Sequence, residues 1–225
     1  IKEILAPGAT ASTQDLERFL REARITSQLE HPNIVPVHEI GRNADGSIFY
    51  TMKFVRGETM AGRLEAIGSD KALTPGEALA KRLSLLDAFA DVCNAVAYAH
   101  SRGVVNRDLK PANVMLGEYG ETLVLDWGLA CVKGQVDTNV EKLKGQTRSF
   151  GKNPVTGSSK LTYAGDVLGT PSYMPPEQAQ GKIELVDEKS DVYSLGAMLY
   201  EIVTGCMPFL FADMATLMNA VKNER

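Results

Sequence analysis

Cysteine and histidine are both scarce in this chain, with three of each among 225 residues. The cysteines lie far apart and form no Cys-x-x-Cys pair, which is typical of reduced thiols and argues against a disulfide framework. The histidines have no metal-ligating neighbours, so a zinc site is not expected. No apolar run approaches the roughly 18 residues that a membrane-spanning helix needs. We therefore expect a cytoplasmic protein with no membrane segment in this stretch.

A surplus of positive charge is missing as well. The 24 Lys and Arg residues against 28 Asp and Glu residues give a formal net charge of −4 and a sequence pI of about 5.5. Such a balance provides no basic field for a phosphate backbone, so nucleic acid is not an expected partner. With 44% hydrophobic and 23% charged residues, the composition is that of a globular domain and not of a disordered chain.

Both ends of the sequence lack the signals of a natural terminus. The chain begins at Ile1 without a signal peptide, and residues 214–225 follow a helical pattern that ends without a cap. We expect the sequence to be a fragment of a longer protein.

The N-terminal part mixes extended segments with one helix. Apolar residues recur at helical spacing over 16–29, and the helix ends before Pro32 because proline disfavours helical geometry in the preceding residue. Two extended runs follow at 34–40 and 48–55. The Asp45-Gly46 pair between them predicts a tight turn between antiparallel strands.

Helical patterns dominate after Gly57. Thr74, followed by Pro75 and by Glu77 at the third helical position, is a strong helix start with a capping box. We predict one helix over 74–100 with a single buried stripe formed by Leu79, Leu83, Leu86, Cys93 and Val96.

The rest of the C-terminal part combines short strands, a loop and a second long helix. We predict strands at 114–116 and 122–125, a mobile polar loop over 133–160, and a buried helix over 191–204. The whole order predicts an α+β protein in which a small β-rich lobe, residues 1–56, precedes a larger and mostly helical lobe, residues 57–225.

The chemically informative residues stand in two neighbouring stretches. Asp108, Lys110 and Asn113 lie within six residues on a segment interrupted by Pro111, and Asp126 follows a predicted strand in Leu125-Asp-Trp-Gly128. Two carboxylates, an amide and an ammonium group that converge from two loops can hold a hydroxyl group, Mg²⁺ and a phosphate. Oxygen ligands of this kind suit Mg²⁺, which completes its shell with water and substrate phosphates.

Three short motifs carry a family resemblance. Asn106-Arg107-Asp108, Asp126-Trp127-Gly128 and Pro175-Pro176-Glu177 resemble the His-Arg-Asp, Asp-Phe-Gly and Ala-Pro-Glu signatures of the Hanks-type protein kinases, and most closely those of bacterial serine/threonine kinases. The resemblance runs from near residue 1 to about residue 209. It implies a bilobal protein-kinase-like fold with a truncated N-lobe, and ATP-dependent phosphoryl transfer to serine and threonine hydroxyls of protein substrates, with Mg²⁺.

The resemblance also implies roles for individual residues. Asp108 would accept the proton of the substrate hydroxyl, and Lys110 would neutralise charge on the transferred phosphoryl group. Asn113 and Asp126 would hold Mg²⁺. Thr170, in a stretch that resembles the peptide-docking loop of the family, would hydrogen-bond toward Asp108 and Lys110.

Glu22 and Lys2 resemble the helix glutamate and strand lysine that pair over the nucleotide phosphates in the family. The alternative for Lys2 is an ordinary exposed lysine near the end of the chain. The glycine-rich loop that precedes this lysine in the family is absent, so the fragment alone is expected to bind nucleotide poorly.

Residues 49–55 resemble the strand that leads to the hinge between the lobes. By this resemblance Met52 is the gatekeeper, Lys53, Phe54 and Val55 offer backbone groups to adenine, and Met115 forms the floor of the pocket. The two methionines are also what a simple apolar core would use, and adenine pockets are apolar, so the two interpretations are compatible.

The sequence departs from the family pattern at Asn106, where the family has histidine. A buried amide at this position destabilises the protein by about 1–3 kcal/mol if it has no partner. Trp127 in place of phenylalanine and Pro175 in place of alanine are milder changes. Asp191 would accept hydrogen bonds from the backbone of the catalytic loop, or serve as a plain N-cap.

The segment between Asp126 and Glu177 is longer than the family norm and contains several hydroxyl residues. Thr162 is our candidate for autophosphorylation between two copies of the chain, and Arg107 resembles the arginine that binds such a phosphate. The alternative is a solvated insertion without a regulatory role.

Two other functions compete with a protein kinase. A non-catalytic pseudokinase scaffold is favoured weakly by Asn106 and opposed by the intact Asp108, Lys110, Asn113 and Asp126. A small-molecule kinase of related fold is opposed by residues 169–177, because a small substrate has no need of a peptide-docking loop.

Overall fold

The computed structural model of the chain describes residues 2–3, 13–44, 46–134, 140, 143, 171–209 and 214–223. The strands within these ranges are β1 Lys2–Glu3, β2 Val37–Arg42, β3 Ile48–Met52, β4 Gly57–Thr59, β5 Val104–Val105, β6 Val114–Gly117, β7 Thr122–Val124 and β8 Cys131–Val132. The α-helices are α1 Thr13–Ser27, α2 Met60–Ser69, α3 Pro75–Leu83, α4 Leu86–Ser101, α5 Pro176–Ala179, α6 Glu188–Thr204 and α7 Met214–Asn223.

The first sheet is antiparallel and has the strand order β1-β3-β2. Gly46 adopts a φ of 87° in the turn between β2 and β3, a conformation that glycine takes without steric strain. One face of the sheet packs against α1, where Phe19 and Ala23 contact Ile48 and Tyr50 in a small apolar cluster. The predicted helix and the predicted strand pair are therefore confirmed.

The prediction of a single helix over 74–100 is wrong. The capping box at its start forms as predicted, with the Thr74 hydroxyl accepting from the Glu77 N–H at 3.3 Å. The chain then turns at residues 84–85 and continues as α4. This turn changes the phase of the apolar positions, so Leu79, Leu83 and Leu86 are exposed, and the buried face of α4 consists of Val92, Ala95, Val96 and Ala99.

The large core lies between α2, α4, α6 and the β6-β7 hairpin. Its most completely buried side chains include Met60, Val92, Trp127 and Met198. Helix α2 was not predicted, although Thr59 caps it by accepting from the Gly62 N–H at 3.1 Å. The α+β class is confirmed. The division of the chain at residues 56 and 57 stays a prediction.

The second long helix, α6, begins three residues before the predicted start because Asp187 provides the N-cap. It is buried along one face only, since Val192 and Tyr200 are largely exposed. Of the predicted loop over 133–160, the structure describes four residues, and Leu143 is buried beside Leu129 and Ile183. Within the described residues, no helix combines the length and the apolar character needed to cross a membrane.

Candidate active site

Asp191, in the first turn of α6, anchors the segment that precedes Asp108. Its carboxylate accepts hydrogen bonds from the backbone N–H groups of Asn106 at 2.8 Å and Arg107 at 2.9 Å, and from His100 Nε2 at 2.8 Å. The side chain is 1% exposed. The anchor role is thus confirmed, and the alternative of a plain N-cap is wrong because Asp187 caps the helix.

Arg107 holds the bend from which Asp108 projects. Its φ of 69° is rare for a residue with a side chain and is typical of functional segments that their surroundings hold in place. The Arg107 Nε donates to the Leu129 carbonyl at 2.7 Å, and the Arg107 carbonyl accepts from Gln178 at 3.2 Å. Sequence reasoning missed both partners, because Gln178 lies 71 positions away and carries no motif.

The structure brings Asp108, Lys110 and Asn113 into one hydrogen-bonded group. Lys110 Nζ lies 3.0 and 2.8 Å from the two carboxylate oxygens of Asp108. Asn113 Nδ2 donates to the Asp108 carbonyl at 2.8 Å and to its Oδ2 at 3.1 Å. Burial raises the pKa of Asp108, the Lys110 charge partly offsets this, and the charge of Asp126 raises the pKa again.

Asp126 follows β7 and lies near enough to Asp108 for its charge to raise the pKa of Asp108. The Leu125 N–H donates to the Asn113 carbonyl at 2.8 Å, which places Asn113 beside Asp126. Asp126 has a φ of 48°, and its Oδ1 accepts from the Gly128 N–H at 3.0 Å. A constrained backbone and a fixed carboxylate are expected of a residue that must aim its oxygens at a ligand.

The donor set of this group fits Mg²⁺. The Asn113 amide nitrogen is engaged with Asp108, so Asn113 Oδ1 would be the atom that this side chain offers to a metal ion. Among the described residues there is no group of three or more His, Cys, Asp or Glu side chains placed to hold a metal ion. Two protein ligands are sufficient for Mg²⁺ where substrate phosphates and water complete the octahedral shell.

Asn106 is not an unpartnered amide, so the expected destabilisation is absent. Its side chain is 2% exposed, and both ends of the amide are used. Oδ1 accepts from the Asp108 N–H at 3.0 Å, and Nδ2 donates to the Asp126 carbonyl at 3.3 Å. Because an amide carries both a donor and an acceptor, Asn106 joins the two segments that present Asp108 and Asp126.

Replacing Asn106 with leucine is expected to lower kcat for the proposed reaction at least tenfold and the free energy of unfolding by about 1–3 kcal/mol. Leucine has the same number of side-chain heavy atoms in the same branched arrangement, but it leaves the Asp108 N–H and the Asp126 carbonyl without these partners. Urea unfolding and steady-state kinetics measure the two effects. Asn219→Leu, the same change at an exposed position of α7, is the control. Wild-type kcat in Asn106→Leu would contradict the link between the two aspartates.

Glu22 reaches the site from α1. Its carboxylate accepts a hydrogen bond from the Tyr50 hydroxyl at 2.5 Å. A Cβ atom on Gly128 would lie 3.0 Å from both Glu22 Oε2 and Asp126 Oδ1, so a side chain at position 128 would make tight contacts with both carboxylates. The backbone of Lys2 lies directly opposite Tyr50 in the sheet. The Lys2 side chain is outside the described part of the structure, so its pairing with Glu22 stays a prediction.

The residues predicted to bind adenine lie at the end of β3 and on β6. Met52 ends β3 and packs against the cluster under α1. The Lys53 N–H donates to the Pro36 carbonyl at 3.1 Å, so only its carbonyl is left for adenine. The Phe54 side chain is 83% exposed, and Met115 is partly buried on β6. Their contacts with a nucleotide, and those of Val55, stay predictions.

The described part of the predicted peptide-docking loop is fixed to α6. The Ser194 hydroxyl donates to the Tyr173 carbonyl at 2.8 Å, and the Tyr173 hydroxyl donates to Glu201 at 2.5 Å. A cavity of about 630 Å³ opens here, between Tyr173, Glu201 and Lys110. Thr170 and the candidate phosphorylation site Thr162 lie outside the described residues.

Comparison of the sequence with known proteins gives matches to protein kinases. The model of the protein kinase domain family matches residues 1–224. The serine/threonine-protein kinase PknD of Protochlamydia amoebophila is 42% identical over 198 residues, which cover 86% of this chain and 19% of that protein. The proteins of the same name from Chlamydia trachomatis serovar D and Chlamydia pneumoniae are 38% and 36% identical and are covered to 20%.

The chain spans about a fifth of the length of these curated relatives. The family match, by contrast, covers nearly all of this chain, including the segments that hold Asp108 and Asp126. The fold and the site described above agree with that match. This chain therefore belongs to the protein kinase domain family.

Proposed function

We propose that this chain is the catalytic part of a serine/threonine protein kinase, which transfers the γ-phosphoryl group of ATP to serine and threonine hydroxyls of proteins. The observation that carries the proposal is the hydrogen-bonded group of Asp108, Lys110 and Asn113 beside Asp126. The chain belongs to a family of phosphoryl-transfer enzymes, and relatives that are 36–42% identical are named serine/threonine-protein kinases.

Asp108 is the proposed proton acceptor for the substrate hydroxyl. Of the two aspartates in the site, Asp108 is the one that is not proposed to bind the metal. Burial raises the pKa of Asp108, which makes its carboxylate a stronger base than that of an exposed aspartate. Lys110 is held by both oxygens of Asp108, which supports the proposal that its ammonium group neutralises the negative charge on the phosphoryl oxygens.

Asn113 and Asp126 are the proposed ligands of Mg²⁺. When bound there, Mg²⁺ would supply positive charge that offsets the negative charge developing on the transferred phosphoryl group. The chain prepares both ligands in advance: Asn113 is oriented by Asp108, and Asp126 is oriented by the Gly128 N–H and by Asn106. Such preorganisation lowers the barrier because little reorientation remains for the reaction step.

The nucleotide and protein partners follow from the same proposal. We place the phosphates near Glu22 and Lys2, and adenine against Met52, Met115 and the backbone of residues 53–55. Protein substrates would dock on the loop at 168–177, and a second copy of the chain would be one of them if Thr162 is autophosphorylated. Since ATP is the proposed donor, we propose a cytoplasmic location.

Incubation of the full-length protein that contains this chain with γ-³²P-ATP, Mg²⁺ and casein tests the proposal. We expect phosphoserine and phosphothreonine in casein, and loss of at least about a hundredfold of the rate when EDTA removes the metal, because metal coordination supplies several kcal/mol of charge stabilisation. Phosphoamino-acid analysis of hydrolysed casein provides the readout. Label on tyrosine alone, or no label with metal and ATP present, would refute the proposed function.

A further inference from the structure

Tyr50 has a contact in the site that the mechanism above does not use. The tyrosine is 2% exposed, and its ring lies against Phe19 with the ring centres 5.0 Å apart. Its hydroxyl donates to Glu22 Oε1 at 2.5 Å. An aromatic ring in the core needs no hydroxyl to pack, so the polar end of this side chain calls for a separate explanation.

The hydroxyl acts as a donor and not as a second anion. Burial, the Glu22 charge and hydrogen bond, and the Asp126 charge all raise the pKa of Tyr50 far above its ordinary value. The phenol therefore stays protonated near neutral pH. A neutral donor facing a carboxylate forms a charge-assisted hydrogen bond, which is stronger and more directional than one between neutral groups.

This hydrogen bond determines how the Glu22 carboxylate is turned. With Oε1 held by Tyr50, Glu22 Oε2 lies on the Gly128 side, and both Oε2 and Asp126 Oδ1 lie 3.0 Å from the point that a Cβ atom on Gly128 would occupy. Two carboxylates that approach the same point repel each other, and the repulsion favours rotation of Glu22 away from the site. The Tyr50 hydroxyl opposes that rotation.

Tyr50 also connects the two elements that carry the proposed phosphate-binding pair. It lies on β3, directly opposite Lys2 on β1, and its hydroxyl contacts Glu22 on α1. The ring is fixed by the cluster of Phe19, Ala23 and Ile48, so the hydroxyl has little freedom of its own.

We propose that Tyr50 is a positioning residue whose hydroxyl fixes the orientation of the Glu22 carboxylate required for phosphoryl transfer. The inference rests on the function proposed above and adds a residue that acts through Glu22. It does not require Tyr50 to touch ATP or the protein substrate.

Tyr50→Phe provides the direct test, because phenylalanine keeps the ring and removes only the hydroxyl. We expect kcat to fall by about tenfold or more, in line with the loss of a hydrogen bond to a charged group, with no change in KM for the protein substrate. Tyr98→Phe is the matched control, since this half-buried tyrosine of α4 packs against His31 and has no hydrogen bond to Glu22 among those described. Unchanged kcat in Tyr50→Phe, or an equal fall in Tyr98→Phe, would overturn the proposal.

A double-mutant cycle separates positioning from general stability. If Tyr50 acts through Glu22, Tyr50→Phe should lower kcat in the wild-type background and cause no further loss in a Glu22→Ala background. A loss of the same factor in both backgrounds would assign Tyr50 a structural role and refute the inference. Thermal unfolding of all four proteins controls for differences in the folded fraction.

Failure of the proposed function can be told apart from failure of this inference. If the wild-type protein transfers no phosphate, the kinase proposal fails. The orientation of the Glu22 carboxylate can still be followed by NMR, in protein labelled with ¹³C at the glutamate side-chain carboxyl. Loss of one signal in Glu22→Ala identifies it. We expect that signal to move in Tyr50→Phe and to stay in place in Tyr98→Phe. An unmoved signal in Tyr50→Phe would overturn the inference.

Discussion

Exchanging Asp108 for asparagine is expected to lower kcat by about 10²–10⁴-fold, the usual contribution of a positioned proton acceptor. Asparagine has the shape of aspartate, so its Oδ1 can still accept from Lys110 Nζ, which lies 3.0 and 2.8 Å from the native oxygens. What it cannot do is take up the proton of the substrate hydroxyl. The defect should therefore appear in kcat, with KM for ATP nearly unchanged.

The fold should survive this exchange. Burial raises the pKa of Asp108, which means that the protein already disfavours the ionised form, and a neutral amide avoids that penalty. We expect the midpoint of thermal unfolding to move by less than about 4 °C. Asp70→Asn, at an exposed carboxylate after α2, is the control and should keep full activity. If Asp108→Asn retained more than about a tenth of wild-type kcat, Asp108 would not be the proton acceptor.

The residues of the candidate site that lie close together in sequence were the most predictable. Asp108, Lys110 and Asn113 occupy one turn of chain around Pro111, so their convergence follows from local geometry. Asp126 follows a short strand that pairs with the strand after Asn113, and the strand pattern was readable in the sequence. Most of the site could therefore be predicted from the spacing of residues that lie close together in the sequence.

Contacts between distant segments were not predictable, and they decide what the site residues do. Gln178 and Leu129 hold Arg107 without any motif, and the Tyr50 hydroxyl meets Glu22 across 28 positions. Asn106 was expected to destabilise the protein if its buried amide had no hydrogen-bond partner. Its actual effect depends on two partners that become neighbours only when the β7 segment and the catalytic loop pack together.

The long helix predicted over 74–100 failed for a related reason. Helical spacing continues through the turn at 84–85, and the sequence pattern cannot register the change of phase that this turn produces. Leu85 is buried while Leu86 is exposed, the reverse of the predicted stripe. The buried face of α4, formed by Val92, Ala95, Val96 and Ala99, keeps helical spacing within this helix, but its phase is not continuous with that of α3.

Asp191→Ala is expected to lower the free energy of unfolding by about 3–5 kcal/mol and to abolish activity. Alanine removes the acceptor of three hydrogen bonds and leaves the buried N–H groups of Asn106 and Arg107 without partners. An unpaired buried donor costs about 1–3 kcal/mol, and the φ of 69° at Arg107 loses the contact that holds it. The midpoint of thermal unfolding should therefore fall by about 10 °C or more.

Asp187→Ala, at the N-cap of the same helix, is the matched control for this prediction. Asp187 caps α6 by accepting from the Lys189 N–H at 2.8 Å, and the loss of such a cap costs about 1 kcal/mol. Its removal should leave kcat near the wild-type value, because it makes no contact with the catalytic loop among the described hydrogen bonds. Urea unfolding and phosphoryl-transfer kinetics on both variants decide the matter. Equal losses of stability in the two variants would mean that Asp191 stabilises the helix and not the catalytic loop. A much larger loss of both stability and kcat in Asp191→Ala than in Asp187→Ala would show that Asp191 supports the loop that carries Asp108.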